Sequence, residues 1–185
     1  MKVGHINLAR SFNGTGEHFV ALVEALERQG ITQHVIVRNH SLARRVAVYD
    51  NVTIGTVTSS PVVALCLMPQ VDVVHAHNEK SAQAGLVLTL TRSIPFVMSC
   101  RDVTKRSPNP ILRSIFSRAA GLICSDAAMA KTLLRGTTRT PVDVIEDITR
   151  QDGKDFDMIG NRAAAEHLRI YRRAADTWRV PALLL

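Results

Sequence analysis

Two histidines and a short polar run follow an apolar stretch near the middle of the chain. His75 and His77 are separated by one residue in VDVVHAH. Because side chains alternate along a strand, both imidazoles lie on one face of it, with His77 at the strand tip. They suit a substrate contact or hydrogen bonds to loop backbone. The spacing also fits a metal pair, but no third ligand lies nearby in the sequence, so we expect no metal.

Glu79 and Lys80 come next, at the predicted N-terminus of a helix. A carboxylate at this end is favoured by the helix macrodipole whatever it binds, so capping is the first explanation of Glu79 and ligand binding the second. A cation at the same end is mildly unfavourable. Lys80 is therefore the better candidate for contact with an anionic or hydroxylated ligand.

A glycine-containing turn, Gly14-Thr15-Gly16, separates the first apolar strand from the first amphipathic helix. We expect Gly14 and Gly16 to take positive φ and to approach a ligand closely. The helix behind them directs its free N–H groups towards the same place, which suits a phosphate. A plain tight turn is equally consistent with the pattern, and the β-branched Thr15 resists positive φ.

Arg101 and Asp102 directly follow the strand PFVMSC. A guanidinium at a strand tip can hold a phosphate or a carboxylate through two parallel hydrogen bonds. The alternative is a surface arginine paired with Asp102.

A basic amphipathic helix is predicted after this strand. Its apolar positions are flanked by four cations: Lys105, Arg106, Arg113 and Arg118. An ordinary surface helix with its apolar side inward explains this pattern, and so does docking to an anionic membrane surface. Nucleic acid ranks third, because the chain has few aromatic residues and no recognisable nucleic-acid-binding module. We therefore expect no nucleic-acid partner.

Strand-like and helix-like segments alternate through most of the chain, which predicts an α/β, Rossmann-like, doubly wound parallel sheet over residues 1–149. Ligands then lie beyond the carboxyl ends of the strands, so Gly14, His77, Arg101 and Ser125 should share one edge. Residues 150–156 are predicted to be a linker. A final helix is predicted over 157–178, with Ala164, Leu168, Tyr171 and Ala175 on its buried side.

The bulk composition indicates the class of partner. A net charge of +7 points to an anionic one: phospholipid, phosphorylated sugar or nucleic acid. The three cysteines are scattered within apolar segments and suit reduced thiols. Together with the lack of a predicted leader or 20-residue apolar span, they lead us to expect a cytoplasmic protein.

The order of motifs resembles the N-terminal lobe of a GT-B glycosyltransferase of family 4. The resemblance rests on the opening strand–glycine turn–helix, VDVVHAH, PFVMSCRD and AAGLICSDAAMAKTLL. It implies a donor-phosphate loop at Gly14, Thr15 and Gly16. The acceptor side would be formed by His77, Glu79, Lys80, Arg101 and Asp102. Many members have His where Arg101 stands; Arg101, Lys80 and the pair Ala82–Gln83 are similar to branches associated with lipopolysaccharide core assembly.

The resemblance implies sugar transfer from a nucleotide-sugar to a glycan or glycolipid acceptor, at the inner face of the membrane and without a cofactor. The family's second, donor-binding lobe has no counterpart in these motifs, so a partner protein would have to supply it. The final helix resembles the family's C-terminal helix, which packs back on the first lobe. The alternative is a non-catalytic binding or regulatory remnant of a glycosyltransferase.

Overall fold

A computed structural model describes residues 1–10, 14–101, 110–136, 140–148 and 156–179. Three residues assigned to candidate sites, Asp102, Lys105 and Arg106, lie outside this part of the chain, as does most of the predicted linker.

In the described part of the chain, seven strands alternate with seven helices, as the sequence pattern predicts. The strands are β1 (Lys2–Asn7), β2 (Thr32–Val37), β3 (Val52–Val57), β4 (Val73–Ala76), β5 (Phe96–Cys100), β6 (Gly121–Cys124) and β7 (Val142–Val144). The helices are α1 (Gly14–Arg28), α2 (His40–Val46), α3 (Pro61–Leu67), α4 (Glu79–Arg92), α5 (Pro110–Arg118), α6 (Ala127–Gly136) and α7 (Phe156–Arg179).

All seven strands are parallel and lie in the order β3-β2-β1-β4-β5-β6-β7. The order reverses between β1 and β4, which makes this pair the switch point where α/β sheets bind ligands. Because every strand points the same way, Gly14, His77, Arg101 and Ser125 all follow strand ends on one edge. The predicted fold class and this shared edge are confirmed.

The central strands are buried on both faces, which explains their continuous apolar sequences. One face of the sheet packs against α3, α4, α5 and α6, with Phe96 and Phe116 at the centre of this layer. The other face packs against α1 and α7 around Leu22, Leu26 and Tyr171. Gly85 of α4 lets that helix approach β5, since a Cβ there would lie 2.9 Å from the Phe96 ring.

Helix α7 covers the middle of the sheet, as predicted. Leu168 and Tyr171 are buried in the core, whereas Ala175, predicted to be buried, is only half-buried. Ala174 occupies the buried position instead, one residue earlier along the helix. Two arginines of α7 also bind Asp143 of β7; Arg169 does so at 2.9 Å. Among the described residues, no helix is both long and apolar enough to cross a membrane.

Candidate functional site

A polar network joins the ends of β1 and β4 at the switch point. Asn78 is the N-cap of α4, and its Oδ1 accepts a hydrogen bond from the Ser81 amide at 2.9 Å. Its Nδ2 donates to Asn7 Oδ1 at 3.3 Å. The Leu8 amide donates to Ser81 Oγ at 3.0 Å. These bonds fix the loop leaving β1 against the first turn of α4, and so shape the floor of the site.

Glu79 and Lys80 are exposed in the first turn of α4. Asn78 is the N-cap of this helix, and Glu79 lies in its first turn, where a negative charge suits the positive end of the helix. Both side chains are accessible to a ligand at the carboxyl edge.

His77 lies just below these residues and belongs to a cluster of five buried imidazoles. Strand pairing places His5 of β1 directly opposite His75 of β4, on the face that His77 also occupies. Ring centroids are 5.8 Å apart for His5 and His75 and 3.9 Å apart for His75 and His77. His18 of α1 and His167 of α7 complete the cluster. Strand β1 therefore supplies a third histidine, His5, which is far from His75 and His77 in the sequence.

Hydrogen bonds fix the orientation of several rings in the cluster. His75 contacts Tyr171 Oη through Nδ1 at 2.6 Å and Ser99 Oγ through Nε2 at 2.8 Å. His5 Nδ1 lies 3.1 Å from His77 Nε2. His167 Nδ1 lies 2.7 Å from the Ala163 carbonyl, which can only accept, so the proton of this ring is on Nδ1.

Burial keeps all five imidazoles neutral. It lowers the pKa of His5 to about 3, and the neighbouring His167 adds to this shift. Burial lowers the pKa of His167 to about 4, where the hydrogen bond to the Ala163 carbonyl opposes the shift and Arg101 adds to it. Burial also lowers the pKa of His18, His75 and His77 well below the usual range, and the neighbouring histidines and Arg101 add to this effect. His77 is therefore available to the site as a neutral hydrogen-bonding group, not as a cation.

Arg101 is neither exposed nor available as a simple surface cation. Its side chain is 7% exposed and forms an ion pair with Asp147, which follows β7. Arg101 is half-buried, which differs from the alternative prediction of a surface arginine; its predicted partner Asp102 lies outside the described residues. Burial raises the pKa of Asp147 while Arg101 opposes this shift. A cavity of about 270 Å³ opens beside Asp147, between the end of β7 and α7, with Arg162 and Glu166 on its wall.

The glycine turn differs from its prediction. Gly14, Thr15 and Gly16 form the first turn of α1, and among the described residues only Gly30 and Ser93 have positive φ. Gly14 is exposed, and a Cβ there would meet nothing within 4 Å. The predicted positive φ at Gly14 and Gly16 is therefore wrong, because the helix starts earlier than expected. A helix N-terminus at this position still presents N–H groups to the carboxyl edge.

The basic helix is α5. Ile115 and Phe116 are buried, but Ile111, an apolar residue of the same helix, is 60% exposed. Arg113 and Arg118 are exposed on the same helix. Only part of the apolar side of α5 therefore faces the core, and Ile111 lies among the exposed cations.

Sequence reasoning missed Asn7, His5, His18, His167 and Asp147. His5 and His18 lie within predicted elements, but their partners are 70 or more residues away. Only Asn7, as the last residue of a strand, carried a local signal.

A Rossmann-like lobe with polar strand ends and a helix returning to its central face describes half of a two-lobed sugar-transfer fold. The model of Glycosyltransferase Family 4 matches residues 12–147. The chain belongs to this family. No curated protein matches the sequence.

Solved structures support the same fold. HepE from Anabaena, in complex with UDP-glucose, superposes with a TM-score of 0.64 at 13% identity. The match covers 80% of this chain and 44% of HepE, and a second HepE structure holds UDP and glucose. A sucrose-phosphate synthase chain from Thermosynechococcus elongatus superposes with a TM-score of 0.56 at 14% identity, over 94% of this chain and 98% of that one. The chain thus spans less than half the length of HepE.

Proposed function

We propose that this chain is the acceptor-binding half of a glycosyltransferase. The reaction would move a sugar from a nucleotide-sugar to a cell-surface glycolipid or polysaccharide precursor, of the lipopolysaccharide core type. The observation that carries the proposal is the set of polar groups at the switch point of a family 4 lobe: His77, Glu79, Lys80 and Arg101 follow β4 and β5 at one edge. HepE, a protein of similar fold, binds UDP-glucose.

The lobe contributes to catalysis by positioning. Glu79 and Lys80 are exposed beside the buried, neutral His77, so they can hold acceptor hydroxyls or phosphates while His77 supports the strand end beneath them. Holding the acceptor hydroxyl against the donor's anomeric carbon replaces a bimolecular encounter by an oriented one. The N-terminus of α1 at Gly14, Thr15 and Gly16 would add N–H donors towards the departing diphosphate.

Arg101 has a conditional role in this proposal. Asp147 already neutralises its guanidinium, so an anionic acceptor must compete with that carboxylate. Lys80 has no such competitor among the described residues and is the primary anion contact. Arg101 acts on the acceptor only if Asp147 turns towards the cavity beside it.

The donor lobe is not inserted between β7 and α7, and we propose that a partner polypeptide supplies it. Only residues 145–155 connect β7 to α7, far fewer than a domain of about 100 residues needs. Helix α7 already occupies the sheet face on which the family's returning helix packs. The chain alone should therefore bind nucleotide-sugars weakly or not at all.

Binding experiments test the acceptor assignment. Nuclear magnetic resonance titration with a phosphorylated core oligosaccharide should shift amides around Asn78–Ser81 and at the end of β5. Lys80→Ala should weaken this binding about tenfold, the loss of one charge-assisted hydrogen bond. Lys131→Ala is the matched control, since Lys131 is also exposed but lies in the second turn of α6. Equal binding by both variants would contradict the role of Lys80.

Calorimetry with uridine, guanosine and adenosine diphosphate sugars tests the half-site assignment. Micromolar affinity of the isolated chain for any of them would overturn it. A non-catalytic remnant is the second candidate, and it is favoured by the ion pair that Arg101 already forms with Asp147. Sugar transfer on mixing with a donor-lobe protein would support the enzyme, whereas acceptor binding without transfer would support the remnant.

We further propose that α5 docks on an anionic membrane. Ile111 projects into solvent, and Arg113 and Arg118 are exposed on the same helix. Each cation near such a surface contributes about 1 kcal/mol, and the effect falls with salt. Flotation with anionic vesicles should decline when Arg113 and Arg118 are changed to Gln. The control changes Arg44 and Arg172, exposed on α2 and α7, to Gln. Failure of the wild type to co-float at low salt would refute docking.

A further inference from the structure

Three of the buried imidazoles converge on a common point beneath the acceptor side. One nitrogen each from His5, His75 and His77 lies within 4.8 Å of the other two. His5 and His75 are fully buried and His77 is 8% exposed. His5 Nε2 has no hydrogen-bond partner in the described part of the chain. The group therefore combines close approach with burial.

The pairing of β1 with β4 produces this convergence. Two histidines alternate on one strand, and the third stands opposite the first of them on the neighbouring strand. Two nitrogens bound to one tetrahedral ion at 2.0–2.1 Å are about 3.3 Å apart. The 3.1 Å separation of His5 Nδ1 and His77 Nε2 is close to this value.

The surroundings of His75 match those of a metal ligand. A ligating histidine normally uses its second nitrogen in a hydrogen bond that fixes the ring. Tyr171 Oη and Ser99 Oγ flank the two nitrogens of His75, so one bond can persist while the other nitrogen binds the ion. The nearby guanidinium of Arg101 is paired with Asp147, which reduces its repulsion of a cation.

We propose that His5, His75 and His77 bind one divalent transition-metal ion. Three imidazoles without a carboxylate favour Zn²⁺, Ni²⁺, Co²⁺ or Cu²⁺ and disfavour Mg²⁺ and Ca²⁺. The ion would enter past His77, the most exposed of the three, and join β1 to β4 at the switch point. Its role is structural: it would fix the strand ends that carry Asn7 and Asn78. This site goes beyond the proposed sugar transfer and does not depend on it.

Metal titration of the full, metal-free chain tests the proposal at pH 7.5. Calorimetry should give one Zn²⁺ per chain with micromolar or tighter affinity, and Mg²⁺ should not bind. Co²⁺ should give visible d–d bands of a tetrahedral site without an intense near-ultraviolet thiolate band. If Zn²⁺ does not bind one-to-one at about 100 µM, a concentration at which even a weak site would be filled, the proposal is overturned. A thiolate band would also overturn it, because that band would assign the ion to cysteine.

Variants locate the ligands. His5→Gln and His77→Gln should each weaken Zn²⁺ binding at least about tenfold. His40→Gln, on the exposed start of α2, should leave it unchanged. Unchanged affinity in both ligand variants would refute the site. If those variants do not fold, the histidine side-chain ¹H–¹⁵N spectrum of the wild type tests the assignment. Zn²⁺ should shift the ring nitrogen signals of His5, His75 and His77 and leave those of His40 in place. Any other set of shifted rings would overturn the assignment.

Discussion

Mild acid should unfold the metal-free domain, because five histidines are buried in the neutral form. An unfolded chain exposes these imidazoles, which then bind protons below their usual pKa of about 6.5. The folded protein binds none of these protons until the pH reaches the lowered pKa values, about 4 for His167 and about 3 for His5. The stability that the neutral cluster provides is therefore complete above pH 6.5 and is lost as the pH falls below it.

The size of the effect follows from the number of rings. Each histidine that is protonated only in the unfolded state lowers the free energy of unfolding by about 1.4 kcal/mol per pH unit. His5 and His167 together give about 3 kcal/mol per unit, and all five rings give about 7 kcal/mol per unit. A domain of this size has a free energy of unfolding of about 5–15 kcal/mol. Unfolding should therefore occur near pH 5, about one to two units below the histidine pKa.

Urea denaturation followed by circular dichroism measures this slope. The measurements use buffer containing a chelator at about pH 7.5, 6.5, 6.0 and 5.5, which roughly spans the titration of free histidine. The free energy of unfolding should fall increasingly steeply as the pH is lowered. His167→Gln should reduce the pH dependence of the free energy of unfolding by the equivalent of about one bound proton. His40→Gln, outside the buried cluster, is the control variant. Equal free energies of unfolding at the highest and lowest of these pH values would refute the neutral cluster.

Three further predictions concern packing and capping, and urea denaturation measures each. Leu168→Ala should lower the free energy of unfolding by about 2–5 kcal/mol, since Leu168 is 4% exposed between α7 and the sheet. A loss below about 1 kcal/mol, which is typical of an exposed site, would contradict its packing. Gly85→Ala should cost about 1–3 kcal/mol because the new Cβ meets Phe96, whereas Gly14→Ala, in open space, should cost nothing. Asn78→Ala should cost about 1 kcal/mol through the lost helix cap, and an unchanged midpoint would exclude that role.

The family assignment rests on features that are local in sequence. The apolar strands, the amphipathic helices and the glycine turn each occupy fewer than thirty residues (roughly the size of a βαβ unit). Their order predicts a parallel sheet, and a parallel sheet places every strand end at one edge. The positions of Gly14, His77, Arg101 and Ser125 on that edge follow from this reasoning alone. The exact start of α1 does not, since helix boundaries depend on tertiary contacts, and the predicted positive φ at Gly14 and Gly16 was wrong for that reason.

By itself the sequence determined the alternating elements, the Rossmann-like class, and the helix that returns over the sheet, because these follow from hydrophobic periods of two and 3.6 residues. Tertiary structure alone decided which side chains meet. His5 faces His77 across 72 residues, Arg101 reaches Asp147 across 46, and Tyr171 reaches His75 across 96. Such contacts depend on strand register and on how α7 docks. Neither leaves a local pattern in the chain, since register and docking are set by the packing of distant apolar faces.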